Sequence, residues 1–209
     1  LNKNYNNIFS ANIRRRMHNV NKLQHILMLI FLDLDGTLVN TVHPSWKPYK
    51  DGLQDFLVAQ IPLFAGVKEF IASRKHKGDS LVIASDSHPR YVNPIADMLS
   101  VEALSLADKP NNKKILEFLD SHPQYKQMVA EGNCLMVGDT KLDIEFGRRI
   151  GALTCWIHPY RITKDIIDER DGIGDEMASK KMEPTFTVKN FAAIEEIIDF
   201  PLNNLTSVS

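Results

Sequence analysis

Residues 26–32, 80–85, 133–137 and 152–157 are short, nearly continuous apolar runs, separated by stretches in which apolar side chains recur at helical spacing. A run without polar alternation is the pattern of a strand buried on both faces, and such strands belong to parallel sheets covered by helices. Residues 185–188 form a weaker fifth run, and a short strand fits near Leu104. Between the runs, residues 66–77 place Val67, Phe70 and Ile71 on one stripe with Gly78 as a stop. Residues 111–120 group Ile115, Leu116 and Leu119. Residues 142–150 and 190–198 behave likewise, with Asn190 as an N-cap for the last helix. Strands alternating with helices predict an α/β fold, a Rossmann-like doubly wound parallel sheet with helices on both faces. Ligands of such sheets bind beyond the carboxyl ends of the strands, so the residues at those ends matter most.

The first run ends in Asp33-Leu34-Asp35-Gly36-Thr37-Leu38, and the third in Gly138-Asp139-Thr140-Lys141-Leu142-Asp143. In a parallel sheet both ends share one edge, and four carboxylates then converge. That arrangement is costly without a cation, and hard oxygen ligands suit Mg²⁺. Lys109 supplies a candidate fixed positive charge. The second run ends in Ser85-Asp86-Ser87, whose hydroxyl and backbone N–H groups could hold a phosphate. Taken singly, each piece has a commonplace explanation. An Asp-x-Asp pair serves turns and helix caps, Ser85 a strand end, and Lys109 a solvated surface. An EF-hand reading of the first motif fails, because Gly36 falls at the wrong offset and Pro44 stands where the bidentate glutamate belongs.

The order of the pieces is more specific than any one of them. The acidic pair in Phe31-Leu32-Asp33-Leu34-Asp35-Gly36-Thr37-Leu38-Val39, then Ser85, then Lys109, then Met136-Val137-Gly138-Asp139-Thr140-Lys141-Leu142-Asp143, resembles the haloacid dehalogenase superfamily over residues 28–157. A looser likeness continues to about residue 198. The resemblance implies that Asp33 attacks phosphorus and forms an aspartyl-phosphate, and that Asp35 is the general acid and base. It implies Mg²⁺ held by Asp33, Asp139, Asp143 and the Asp35 backbone, with Asp143 binding through water or holding Lys109. Ser85 and Lys109 would stabilise the phosphoryl oxygens, Gly36 would let the backbone turn, and Thr37 would position the Asp35 region. Asp86 and Ser87 would border the substrate. The superfamily's dehalogenases lack an acid/base aspartate at the second position, so Asp35 favours phosphate ester chemistry.

Members of that superfamily differ in a cap inserted after the first or second motif. Residues 39–63 are too few for the usual helical cap, so the sequence predicts a catalytic domain over 26–200 with a short flap and no full cap. The flap holds His43, Trp46, Lys47, Tyr49 and Lys50. Trp46 and Lys47 are its candidates for substrate contact, as are His88 and Arg90 after the second run; a surface loop anchored by one tryptophan is the plainer alternative. Residues 158–184 read as a solvated helix and loop or an additional lip over the site. The expected partner is a phosphorylated small molecule or nucleotide. A macromolecular phosphate and a retired phosphate-binding scaffold are the alternatives, the latter disfavoured by the full set of carboxylates.

Composition sets wider bounds. The chain has 209 residues, 44% apolar, and a formal net charge of -1 at pH 7. This suits one domain without a global pull toward nucleic acid or membrane. Asp33 is the first acidic residue, and Lys3, Arg14, Arg15, Arg16 and Lys22 precede it. Residues 1–25 therefore read as a disordered tail, as sequence upstream of a start at Met17 or Met28, or as an organellar presequence. Residues 201–209 read as a tail. Cys134 and Cys155 are the only cysteines, too few for a disulfide framework, which points to a reducing, cytoplasmic setting.

Overall fold

The computed structural model describes residues 26–157 and 183–199. The leader, most of the 158–184 segment and the C-terminal tail lie outside the described residues. Among the described residues, six strands form one parallel sheet in the order β3-β2-β1-β4-β5-β6: β1 Leu29–Leu32, β2 Ser80–Ser85, β3 Glu102–Ser105, β4 Cys134–Gly138, β5 Leu153–Ile157 and β6 Phe186–Val188. This is the strand order of dinucleotide-binding α/β sheets, with the switch in connection direction at β1 and β4. Seven helices accompany it among the described residues: α1 Lys47–Lys50, α2 Val67–His76, α3 Pro89–Leu99, α4 Lys113–Ser121, α5 Pro123–Ala130, α6 Lys141–Arg149 and α7 Phe191–Asp199.

Strand periodicity divides the core in two. Ile30, Leu32, Ile83, Leu135 and Val137 face α2, α3 and α7 through Phe70, Tyr91, Ile95 and Ile194. Leu29, Phe31, Val82, Ala84 and Met136 face α4, α5 and α6 through Ile115, Tyr125 and Phe146. The apolar runs lack alternation because both faces of the sheet are covered. Burying each large apolar side chain contributes about 1.5–3 kcal/mol. Asn190 does cap α7, its side chain accepting from the Ala193 N–H at 3.0 Å. The helix α5 was not expected. Its one buried side chain is Tyr125, so it carries no apolar stripe to read. Strand β6 starts one residue later than expected, because Thr185 exchanges side-chain bonds with Thr154, each backbone N–H reaching the other's hydroxyl at 3.0 Å.

At the opposite, N-terminal edge of the sheet, Arg74 is fully buried. Its Nε donates to Asp79 at 2.6 Å and its Nη1 to Asp199 at 2.6 Å. Asp79 also accepts the Met28 N–H at 2.8 Å. One guanidinium thus ties α2, the starts of β1 and β2, and the end of α7. The cysteines are free and buried on opposite faces of the sheet. Burial pushes both thiols up, Cys155 to about 12. Among the described residues, no helix is long and apolar enough to cross a membrane.

The 39–63 segment closes at its base where Val39 bridges Leu63 antiparallel and the Asn40 N–H meets the Pro62 carbonyl at 2.8 Å. It holds α1 and two short 3-10 turns, Pro44–Trp46 and Val58–Gln60. It is tethered to the start of α3. The His88 N–H donates to the Lys50 carbonyl at 2.7 Å, and Arg90 donates to the Gly52 carbonyl at 3.0 Å and to Asp55 at 2.8 Å.

Candidate active site

The parallel sheet brings the ends of β1 and β4 together, since Leu32 pairs with Val137 and the Asp33 N–H still reaches the Val137 carbonyl at 2.9 Å. Asp33 and Asp139 follow directly, and Asp143 enters from the first turn of α6. Each of the three offers a carboxylate oxygen within 4.8 Å of the others', and all three residues are buried. Lys109, on the loop after β3, lies between two of them, with Nζ 2.6 Å from Asp33 Oδ1 and 2.6 Å from Asp143 Oδ1. The Asp86 carboxylate steadies that loop by accepting the Lys109 N–H at 2.8 Å.

Three buried carboxylates and the Lys109 ammonium thus meet in one spot. Burial, then the Asp143 charge, hold the Asp33 carboxyl well above the usual range, against the pull of Lys109. For Lys109, burial favours the neutral amine, but Asp143 and Asp33 outweigh it and raise its pKa, so it stays charged. Hard oxygen donors converging in a buried spot are the donor set that a small divalent cation such as Mg²⁺ requires.

Two glycines make the cluster sterically feasible. Gly36 has φ +90° and no room for a side chain, since a Cβ there would lie 2.4 Å from Asp139 Oδ2. A Cβ on Gly138 would lie 2.3 Å from the Asp143 Cβ and Cγ. Asp143 is fixed, with Oδ2 accepting from the Thr140 N–H at 3.0 Å and its hydroxyl at 2.6 Å in a capping box that starts α6. Gly138→Ala is therefore expected to displace α6's first turn. It should cost on the order of 1–3 kcal/mol, the usual price of overpacking, and weaken divalent-cation binding. Calorimetric titration with Mg²⁺ together with a thermal melt checks both.

Asp35 stands apart from the carboxylate cluster. Its Oδ1 accepts from the Thr41 hydroxyl at 2.5 Å and the Tyr91 hydroxyl at 3.0 Å, with Lys50 Nζ at 3.5 Å; its Oδ2 accepts from the Ser87 hydroxyl at 2.9 Å. Burial, and then the Asp35 charge, push the Tyr91 phenol up, which keeps it a neutral donor. Thr41 and Tyr91 escaped the sequence reading. Tyr91 lies on the apolar stripe of α3 and looks like any core aromatic, and only the packing reveals where its hydroxyl points. Thr41 stands six residues beyond Asp35 with no pattern to mark it. Lys50 is in the flap, yet nothing in the sequence favours it over Lys47.

The remaining expected site residues each have a defined contact. The Thr37 hydroxyl reaches Asp139 at 3.3 Å rather than the Asp35 carboxylate. Ser85 is buried, and its Oγ accepts from the Ser87 N–H at 3.1 Å. Lys47 does not turn toward the site but pairs with Asp51, its i,i+4 neighbour, at 2.8 Å on the surface. His88 caps α3, its Nδ1 accepting from the Arg90 N–H at 3.2 Å, and Arg90 is engaged with the flap; neither is aimed at the carboxylates. Trp46 is half-buried against Tyr49, with ring centroids 5.4 Å apart, and helps line an open groove of about 280 Å³ with Phe56, Leu57 and Gln60.

No protein-family model and no curated protein matches the sequence. Solved structures do match the fold. A predicted phosphoglycolate phosphatase from Haemophilus somnus 129PT is 18% identical with a TM-score of 0.57, covering 84% of this chain and 99% of its own. D,D-heptose 1,7-bisphosphate phosphatase from B. bronchiseptica, complexed with magnesium and phosphate, is 17% identical at a TM-score of 0.57, covering 82% of this chain and 98% of its own. A haloacid dehalogenase-superfamily hydrolase of subfamily IA from Geobacter sulfurreducens PCA is 11% identical at 0.56, covering 82% and 96%. With its strand order, its two covered faces and its acidic residues at the ends of β1 and β4, this chain has the haloacid dehalogenase-like fold.

Proposed function

We propose that the protein is a Mg²⁺-dependent phosphohydrolase, a phosphomonoesterase that works through an aspartyl-phosphate on Asp33. The observation that carries this is the buried cluster of Asp33, Asp139 and Asp143 bridged by Lys109 at the carboxyl edge of the sheet. Asp33 and Asp139 would hold the cation, together with the Asp35 backbone, and Asp143 would hold Lys109 and bind the cation through water. When bound, Mg²⁺ supplies charge neutralisation and alignment of the phosphoryl group.

The chain's own groups account for the rest. An Asp33 carboxylate oxygen attacks phosphorus as the bond to the leaving oxygen breaks, and Asp35 gives that oxygen a proton. Asp35 then takes a proton from water, whose oxygen attacks phosphorus, and the bond to Asp33 breaks to restore the carboxylate. Lys109 stays charged throughout and offsets the charge spreading over the phosphoryl oxygens. Ser85, Ser87 and the backbone beside them would receive those oxygens.

The test is a panel of phosphate esters assayed with Mg²⁺ and with EDTA. Turnover is expected to fall by about 100-fold or more on chelation and to return when Mg²⁺ is restored. Full turnover after exhaustive chelation would sink this reading. A macromolecular phosphate is the second reading, favoured by two leucines that the flap leaves exposed, Leu53 at 79% and Leu57 at 66%. It requires better turnover of a phosphoprotein or an oligonucleotide end than of any small ester; for the oligonucleotide, binding should fall steeply with salt. A cytoplasmic location fits the two reduced, buried thiols.

A further inference from the structure

Asp35 is gripped unequally at its two oxygens. Thr41 and Tyr91 both donate to Oδ1, at 2.5 and 3.0 Å, and the Tyr91 and Thr41 hydroxyl oxygens lie 3.0 Å apart. Lys50 adds its charge to the same oxygen from 3.5 Å. Oδ2 accepts from Ser87 alone among the described residues, at 2.9 Å, from the loop that follows β2. Thr41 and Tyr91 are fully buried, so their hydroxyls belong to the core and do not move with solvent. The ring of Tyr91 is held in turn by the flap: Phe56 packs against it with centroids 5.2 Å apart, Tyr49 against Phe56 at 6.2 Å, and Trp46 against Tyr49 at 5.4 Å. An aromatic chain thus runs from the open groove to the carboxylate.

We infer that Tyr91 is a positioning residue for proton transfer: with Thr41 it anchors Oδ1 of Asp35 and so presents Oδ2 as the oxygen that gives and takes the proton. The inference rests on the phosphohydrolase reading above and specifies how its acid is aimed. A misaimed acid weakens only the part of the transition state in which the leaving oxygen gains a proton. Esters of basic alcohols need that proton; p-nitrophenyl phosphate, whose leaving group is stable as an anion, needs it far less. Any general damage to the fold or to the metal site reduces both alike.

The experiment compares wild type and Tyr91→Phe on p-nitrophenyl phosphate and on a panel of simple alkyl phosphates, with Mg²⁺ present. Phenylalanine keeps the ring and its packing and removes only the hydroxyl. For the alkyl esters the variant is expected to lose about tenfold or more in kcat/KM, mostly in kcat with KM little changed. For p-nitrophenyl phosphate the loss should be under about threefold, at an unchanged thermal midpoint. Thr41→Val, which removes the other hydroxyl on Oδ1, should shift the alkyl-to-aryl ratio in the same sense and keeps the test available if Tyr91→Phe fails to fold. Equal losses on both ester types, or no loss on either, overturn the positioning role while leaving the phosphohydrolase reading intact. A wild type with no Mg²⁺-dependent turnover of any ester overturns both.

Discussion

Asp33→Asn is expected to abolish phosphatase turnover, by roughly 10⁴-fold or more, and at the same time to stabilise the metal-free protein. The first effect follows because an amide cannot form the acyl-phosphate. The second follows from electrostatics. Burial, then Asp143, raise the folded-state pKa of Asp33 above its unfolded value. Ionising it therefore costs folding free energy. That cost is absent below the unfolded carboxyl pKa and grows as pH rises toward the folded value, so metal-free wild type loses stability across that window. Asparagine is neutral throughout. At neutral pH and without metal, the variant's thermal midpoint should exceed that of wild type by a few degrees, given about 2–4 °C per kcal/mol at this size. The gap should close on acidification below the carboxyl range and narrow when Mg²⁺ is added. Retained turnover would contradict the nucleophile assignment; a lower midpoint would contradict the charge argument.

Arg74→Met should be the most damaging substitution outside the site. Arg74 and its partner Asp79 have side chains with no exposed surface. Removing the guanidinium takes the paired cation away from the buried Asp79 charge, which still accepts the Met28 N–H. Breaking one side of a buried pair costs about 3–5 kcal/mol, a large share of a domain's whole margin. Urea unfolding should show this as a lower midpoint at an unchanged slope. Adding Asp79→Asn should recover part of the loss, because the second change removes the buried charge that Arg74 offset. Turnover per folded molecule should be unaffected, since the pair sits at the edge of the sheet opposite Asp33. A loss under about 1 kcal/mol would show that water reaches Asp79. Asp199 adds a pH signature. Burial alone would raise its carboxyl, but the Lys77 and Arg74 contacts outweigh burial and lower it. Its contribution is therefore present above the unfolded carboxyl pKa and lost as pH falls through the folded value.

The strands and the carboxylate cluster were legible in the sequence because both are written locally. A buried parallel strand must be apolar over its whole length, as in Leu29–Leu32 and Cys134–Gly138. Residues just past such a strand must emerge at the sheet's carboxyl edge, so Asp33 and Asp139 were bound to meet once β1 and β4 were parallel neighbours. Lys109 belongs to the same class, since the loop after β3 opens at that edge. Asn190, Gly78 and Gly36 were legible for a similar reason, since caps and turns depend on a few adjacent residues.

What the tertiary structure decided is which side chains turn toward which partner across long separations. Lys47 and Lys50 have the same chemistry three residues apart, but one helical turn points Lys47 to Asp51 and Lys50 to Asp35. His88 and Arg90 follow β2 in sequence, yet they tether the flap because the helix they start is the flap's nearest neighbour. Tyr91 reads as core and is core; its hydroxyl alone belongs to the site, and no periodicity encodes the direction of one O–H. Arg74 sits on an ordinary helix and becomes the tie between four segments only when β1, β2 and α7 close around it. The sequence by itself determined the layers and the acidic edge, because local spacing dictates strand burial and strand ends. Packing decided the aim of Asp35 and the buried ion pair, because both depend on distances between residues far apart in the chain.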